Sequence, residues 1–409
     1  MAKKLSSVLG VDIGSQTIKL AEVKLLGGKP TVTALGMAMT PEGAVDHIGI
    51  HDLDGVSNVL KQLCASTGAS VGDVVVSIAG QGSVLVRTLE VPSMNDSELK
   101  QHMDWEITRN IPFAESTVVS DYKAFAPAPN NTQNMDVVMA ISPQSAVDNL
   151  ISLVKKSGRK PAAIDVEPLG IARALDMSYH DDFLGKSVCV VDVGHKTTSI
   201  NVYKDGKLMM PRQVPIGGEM ITRSIADGLG VSFEEAERLK ADVGEIPANP
   251  GAVASYNPFD TGASMTTQAF APYNPFAEPE EAEPGIPELT ETAAAEIVEA
   301  PVAPVQATGE ADRVYGAMAA VLDEFVAEVR RSVDYYRSKG GDVDLLMVCG
   351  GGSKLRGLDK FLQASIGLNC VTLDPLKGVQ LTAKKLDNYR EEDRQDFAVA
   401  VGNGLHICF

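Results

Sequence analysis

The sequence predicts an α/β protein built as two facing lobes. Three observations carry this. Strand and helix patterns alternate along most of the chain, a strand, tight turn and return strand open each half, and 409 residues exceed what one small domain needs. Apolar residues make up 44% and charged residues 22%, enough to bury true cores.

In order, Val8–Val11 and Ile18–Leu25 read as a hairpin around Gly14-Ser15-Gln16-Thr17, and Val74–Ile78 as a continuous buried strand. Asn95–Asn110 reads as a helix, because Asn95 can cap it, Glu98 sits three residues on, and Pro112 follows its end. Trp105 is expected to pack within that helix's own neighbourhood. Val137–Ile141 is a strand and Gln144–Lys156 a helix. A second hairpin follows at Ser187–Asp192 and Ser199–Tyr203, extended by 207–214, and then come helices at Glu219–Leu229 and Phe233–Val243. Tyr315, Met318, Val321, Leu322, Phe325, Val329, Val333 and Tyr336 keep helical spacing on one stripe, with Tyr335-Tyr336 expected to pack that helix. Strand Leu345–Cys349, a Gly-rich turn and helix Leu358–Ser365 complete the pattern.

Charge separates one segment from the rest. The chain carries 36 basic and 54 acidic residues, a net −18, which argues against nucleic-acid binding and against docking on anionic lipid by charge alone. Residues 245–311 hold eleven of the acids, no Lys or Arg, ten of the 22 prolines and a single leucine, Leu289. Such a stretch buries too little apolar area to offset its ordering entropy, so it is predicted to be disordered. Within it Tyr-Asn-Pro-Phe occurs twice, at 256–259 and 273–276, readable either as spacer duplication or as paired anchors on a tether. Five scattered cysteines without a C-x-x-C pair predict a reduced, cytosolic chain with neither disulfides nor a zinc site. His47, His51, His102 and His180 lack metal-ligand spacing. No apolar run reaches about 18 residues, and the apolar stretch after Lys3-Lys4 ends at Asp12, too soon for a signal peptide.

The matching turns carry the chemistry. Backbone N–H groups converging in a tight Gly turn suit phosphate oxygens. Gly14 and Gly194 supply the turns, Ser15, Thr17, Thr197 and Thr198 add hydroxyls, and Lys19 adds a cation. Asp12 and Asp192 would face one another across a cleft, where a hydrated Mg²⁺ relieves their repulsion. Gly350-Gly351-Gly352-Ser353, between a buried strand and a helix, lets a flat ligand lie against backbone. Gly217-Gly218 opens a helix, and Glu237 and Lys240 share a face of the next one, either clamping a ribose and base or forming a solvated pair.

These hairpins, Gly217-Gly218, Gly350–Gly352 and the closing Phe397–Leu405 resemble the nucleotide-site motifs of the actin/Hsp70/sugar-kinase superfamily. Within it Val84–Val91 with Pro92, Trp105-Glu106, Ile111-Pro112-Phe113, Ile164–Leu169 and Gly350–Gly357 resemble the PilM-like proteins of type IV pilus assembly and, more loosely, FtsA. The resemblance implies a two-lobed actin-like (ribonuclease H-like) fold. The first lobe would comprise 1–80 and 143–185, an inserted subdomain 81–142, and the second lobe 186–244 and 312–409. It implies ATP and Mg²⁺ between the lobes, with Gln16 in the first phosphate turn, the base near Gly217, Gly218, Glu237, Lys240 and Gly351–Ser353, and hydrolysis that is slow at most. Glu167 and Asp165 are the carboxylates it places to orient a water. Its implied partner is the cytoplasmic N-terminus of a PilN-like inner-membrane protein, received beside the subdomain. The pilus motor ATPases are further partners, and the location is peripheral at the inner membrane without lipid insertion. An FtsA-like cytoskeletal tether and a small-molecule kinase with Asp165 as base are the alternatives; the tether lacks its C-terminal amphipathic helix here. His195-Lys196 stand where the family has small residues.

Deleting residues 250–305 is expected to leave the thermal unfolding midpoint within about 2 °C of that of the full chain. Calorimetry showing a larger loss would contradict the composition argument.

Overall fold

Strand β1 (Ser7–Ile13) is apolar enough to need neighbours on both sides, and it has them. It pairs antiparallel with β2 (Thr17–Leu26), which pairs with β3 (Lys29–Met39). Helix α1 (Leu53–Thr67), capped by Asp52, returns the chain to β4 (Asp73–Ile78), parallel to β1. The computed structural model describes residues 5–114, 117–125, 133–247, 309–383 and 385–409.

A separate three-stranded sheet follows, ordered β5 (Leu85–Pro92), β7 (Asn134–Pro143), β6 (Val118–Ala124). Helix α2 (Asp96–Arg109) covers one face, with the Asn95/Glu98 capping box formed as predicted. Leu99, Met103 and Ile107 occupy the helix face turned to that sheet, so Trp105 points away. It is 54% exposed, with the Arg109 guanidinium 4.9 Å above its ring, which corrects the expectation that it packs inside.

Helix α3 (Gln144–Lys156) and β8 (Lys160–Val166) complete the first sheet. Helix α4 (Glu167–Phe183) then crosses to the second lobe. There β9 (Ser187–Val193) pairs with β10 (Thr198–Lys204), which pairs with β11 (Lys207–Met210) and β12 (Gln213–Val214). Helices α5 (Gly218–Leu229), α6 (Phe233–Asp242) and α7 (Glu310–Ser338) precede β13 (Leu345–Cys349), α8 (Leu358–Ile366) and β14 (Cys370–Thr372). The pattern of the first sheet thus repeats: β9 stands between an antiparallel β10 and a parallel β13, as β1 stands between β2 and β4.

Helix α7 buries its predicted stripe against β10, β13 and α5, from Val314 through Phe325 to Tyr336. Tyr335 is 55% exposed, so only Tyr336 of that pair packs. Most of the predicted disordered insert, including both Tyr-Asn-Pro-Phe copies, lies outside the described residues. Its ends are ordered: Ile246 is buried and bonds Arg356 O at 2.9 Å through its N–H, and Glu310 begins α7. All five cysteines are free thiols.

The C-terminal stretch departs from the expected division. Strands β15 (Gln380–Leu381) and β16 (Leu386–Asp387) pair with β3. Helix α9 (Ala398–Gly404) packs on β1, β2 and α4, with Phe397, Val401 and Leu405 among Val8, Ala21 and Val23. The tail of 312–409 therefore belongs with the first lobe, a non-local pairing invisible to periodicity. A side chain at Gly402 would overlap the Gly170 carbonyl, so α9 and α4 meet backbone to backbone.

Asn403 locks α9 in place. Its amide donates to Val11 O and its carbonyl accepts from Ser77 Oγ, both at 2.9 Å, with the side chain fully buried. Asn403→Ala leaves two buried groups unpaired and is expected to cost about 2–4 kcal/mol, read as a lowered urea midpoint at unchanged m-value.

Candidate functional site

The two hairpin turns are built alike. Gly14 N donates to Thr17 O and Gly194 N to Thr197 O, each at 3.0 Å. Thr40 clamps the first turn, its N–H on Gln16 O at 2.9 Å and its hydroxyl on Gly14 O at 2.7 Å. The N-terminus of α5 clamps the second: Gly218 N donates to Gly194 O at 3.0 Å and Glu219 N to His195 O at 2.8 Å. Between the turns lies a cleft of about 1160 Å³.

Most of the expected residues meet in its wall: Asp12, Gly14, Ser15, Gln16, Thr17, Lys19, Glu167, Asp192, Gly194, Thr197, Gly218, Glu237, Lys240 and Gly350–Gly352. Four do not. Thr198 is fully buried, its hydroxyl donating to Ile216 O at 2.6 Å. Gly217 packs under the second turn against His195 and Lys196. Ser353 turns inward, donating to Gly350 O at 2.7 Å. Asp165 is ion-paired with Arg173 behind the wall and also accepts from Val166 N at 2.8 Å. The role in orienting water is therefore corrected for Asp165, whose oxygens are already committed.

Glu237 and Lys240 resolve as a wall feature rather than a solvated pair. Lys240 Nζ reaches Glu237 Oε2 at 2.8 Å, Thr222 Oγ1 at 2.5 Å and Gly218 O at 3.1 Å. Burial works against the Glu237 charge, but the bonds from Lys240 and Thr222 outweigh it and hold the carboxyl below its ordinary range. Gly350 has φ of 78°, and a side chain there would collide with the Asp192 carboxylate, so the triple-glycine turn lies directly on the second hairpin.

The seam is crowded with carboxylates. Lys19 Nζ sits 3.1 Å from Asp12 Oδ2. Burial pulls the Lys19 ammonium down, but Asp12, then Asp396 and Asp192, raise it above the usual lysine value. Glu167, at the first turn of α4, accepts from Ser199 Oγ at 2.6 Å and shares a hydrogen bond with Asp192. Burial raises both acids, and repulsion from Glu167 and Asp12 drives Asp192 well above the carboxylate range. Burial also lowers the His195 imidazole, 4.0 Å from Glu219.

Sequence reasoning missed a second layer. Lys354 bridges Asp393 at 3.0 Å and Asp396 at 2.8 Å, and Arg390 and Arg356 also line the cleft. Lys354 directly follows Gly350–Ser353 and Asp396 directly precedes the closing Phe397 motif, the only signal either gave. Among the described residues no three His, Cys, Asp or Glu side chains come together as a bare-metal site, and no helix is long and apolar enough to cross a membrane.

Paired sheets of like topology, opened by matched turns that face one another across a cleft, define the two-lobed actin-like fold. A family model described as type IV pilus assembly protein PilM matches residues 10–265, and one described as cell division protein FtsA matches 189–402. The chain belongs to the PilM family of type IV pilus assembly proteins. Its fold is that of the PilM-PilN type IV pilus biogenesis complex, with TM-score 0.73 at 23% identity over 100% of both chains. Ethanolamine utilization protein EutJ from Carboxydothermus hydrogenoformans follows at 0.52 and 14%, over 98% of this chain and 91% of that one. Among curated relatives, FtsA of Bacillus subtilis (strain 168) is 37% identical over 101 residues, 25% of this chain and 22% of that protein. FtsA of Enterococcus faecalis (strain ATCC 700802 / V583) is 22% identical over 264 residues, 59% of each. The chain therefore spans less than two thirds of either curated relative.

Because folding raises the pKa values of Glu167 and Asp192, the native state binds more protons than the unfolded chain above the ordinary carboxylate values of 4.5 and 3.8. Their stabilising contribution is present below those values and is lost as pH rises through the folded ones. Asp192→Asn is expected to remove that loss and stabilise the ligand-free protein at pH 7 by about 1 kcal/mol or more, read from urea titrations at pH 5 and pH 7.

Proposed function

We propose that this protein holds Mg-ATP between its lobes and uses it to tune docking of the N-terminal peptide of a PilN-like inner-membrane protein. The observation that carries the reading is the continuity of one cleft. From the phosphate turns it runs past Ile48, Gly82, Phe113 and Pro143 to the junction of the first lobe with the three-stranded subdomain. A ligand at one end and a peptide at the other would share walls.

The phosphate end has the donors for the part. Turn N–H groups and the hydroxyls of Ser15, Thr17 and Thr197 present to the cleft, and Lys19 supplies a fixed cation. The half-buried acids Asp12 and Asp192 suit a hydrated Mg²⁺, which when bound would neutralise phosphate charge. Glu167, anchored by Ser199, is the carboxylate proposed to orient a water in any slow hydrolysis. A metabolite kinase loses its one candidate base, since Asp165 is tied to Arg173.

Coupling to the partner end has a physical route. The subdomain also touches the second lobe: Thr88 Oγ1 donates to Met209 O at 2.8 Å, Gln81 Nε2 to Gln213 O at 3.3 Å, and Lys207 lies 5.4 Å from the Phe125 ring centre. A change in lobe angle would pull on the subdomain and reshape the groove beneath it, so nucleotide and peptide bias one equilibrium. The partner would place the protein at the inner membrane.

Asp12→Ala or Lys19→Ala is expected to abolish retained nucleotide and the thermal shift with Mg-ATP, which in the wild type should reach about 2–4 °C at 100-fold excess over Kd. Both variants should also weaken binding of a PilN-type N-terminal peptide. Unchanged ATP affinity in Asp12→Ala would overturn the site assignment.

A further inference from the structure

Asp396 lies in the 3-10 segment Glu391–Phe397 that leads into α9 and is 6% exposed. Its Oδ2 accepts from Lys354 Nζ, but its Oδ1 is buried with no hydrogen-bond partner. Asp393, three residues earlier, shares Lys354 and also takes Arg390 Nε at 3.0 Å, so both of its oxygens are satisfied. Asp396 lines the cleft, and its charge helps keep Lys19 protonated beside Asp12 and Asp192. A buried carboxylate oxygen demands a donor. The cleft is the open side from which one can come.

The cations nearest Asp396, Lys19 and Lys354, already pair with Asp12 and with Asp393 and Asp396 Oδ2, so the donor for Oδ1 is a further cationic group or water polarised by a cation. Among the described residues no three His, Cys, Asp or Glu side chains are close enough to grip a bare ion, so a cation here is taken with its hydration shell. We propose that Asp396 is a third carboxylate of the cation site at the seam, its Oδ1 accepting from a water on a divalent ion that Asp12 and Asp192 approach from the two hairpins. Lys354 acts as a positioning residue, holding Oδ2 so that Oδ1 stays aimed. This deepens the Mg-ATP reading and rests on it for the identity of the ion. The segment carrying Asp396 touches both lobes, Gln395 O accepting from Gly350 N at 3.1 Å while Phe397 packs into the first lobe's core, so the site depends on how the lobes are juxtaposed.

The test uses the full chain with Mn²⁺ alone, followed by electron paramagnetic resonance, and the Mg²⁺ dependence of ATP retention. Asp396→Asn is expected to weaken Mn²⁺ about tenfold and to raise the Mg²⁺ midpoint by a similar factor, leaving ATP binding in EDTA unchanged. Asp393→Asn should stay within about twofold of wild type in both. If Asp396→Asn does not fold, Lys354→Met/Asp396→Asn is compared with Lys354→Met, and the same tenfold difference is expected. The proposal is overturned if Asp396→Asn binds Mn²⁺ like wild type, if Asp393→Asn loses as much, or if wild type binds no Mn²⁺. Mn²⁺ binding that depends on Asp396 in a protein that retains no ATP would sink the nucleotide reading while leaving the cation site standing.

Discussion

Carboxylates converge where the lobes meet, and the arrangement of the molecule follows from how their charge is managed. Asp12, Glu167, Asp192 and Asp396 all act on or around Lys19, in a region largely removed from water. Buried like charges are unfavourable unless protonated, paired or bridged. The fold uses the first two remedies at once. The Glu167–Asp192 pair is pushed toward its protonated form, Lys19 pairs Asp12, and Lys354 spans Asp393 and Asp396. The third remedy, a bridging cation, is what a cleft of this composition invites.

Holding those groups in place takes rigid supports, and these are packed at backbone level. Helix α9 meets α4 through Gly402 and Gly170, and Asn403 ties it to β1 and β4. Contacts between the lobes combine side-chain bonds such as Ser199–Glu167 and Lys354–Asp396 with a backbone bond from Gly350 N to Gln395 O and a buried apolar cluster that joins Ile171, Leu175 and Val399 to Val190 and Met347. Shape-fitted backbone contacts resist displacement, whereas polar side-chain contacts can exchange partners at modest net cost. The subdomain touches both lobes.

What the sequence revealed, it revealed through local pattern. The two hairpins, the capped helix at Asn95 and the apolar stripe of α7 each follow from residues adjacent in the chain. The site was legible as far as it is made of turns. It failed where contacts join distant segments. Nothing near Asp165 announces Arg173 as its partner, and nothing near Gln380 announces β3. Trp105 was misjudged because the helix turns one face to the three-stranded sheet, and Leu99, Met103 and Ile107 had taken it. Lys354 and Asp396, 42 positions apart, have meaning only as a pair.

Charge also constrains the order in which a nucleotide could enter. Read as a nucleotide site, the seam offers a bare triphosphate two lysines, Lys19 and Lys354, both already paired with carboxylates. Polyanion and buried acids would repel each other across a poorly screened gap. A hydrated divalent ion removes the repulsion on both sides, so phosphates are favoured with the cation and disfavoured without it. The same acids that destabilise the ligand-free cleft then become the source of its selectivity, because only a ligand that brings its own positive charge relieves them.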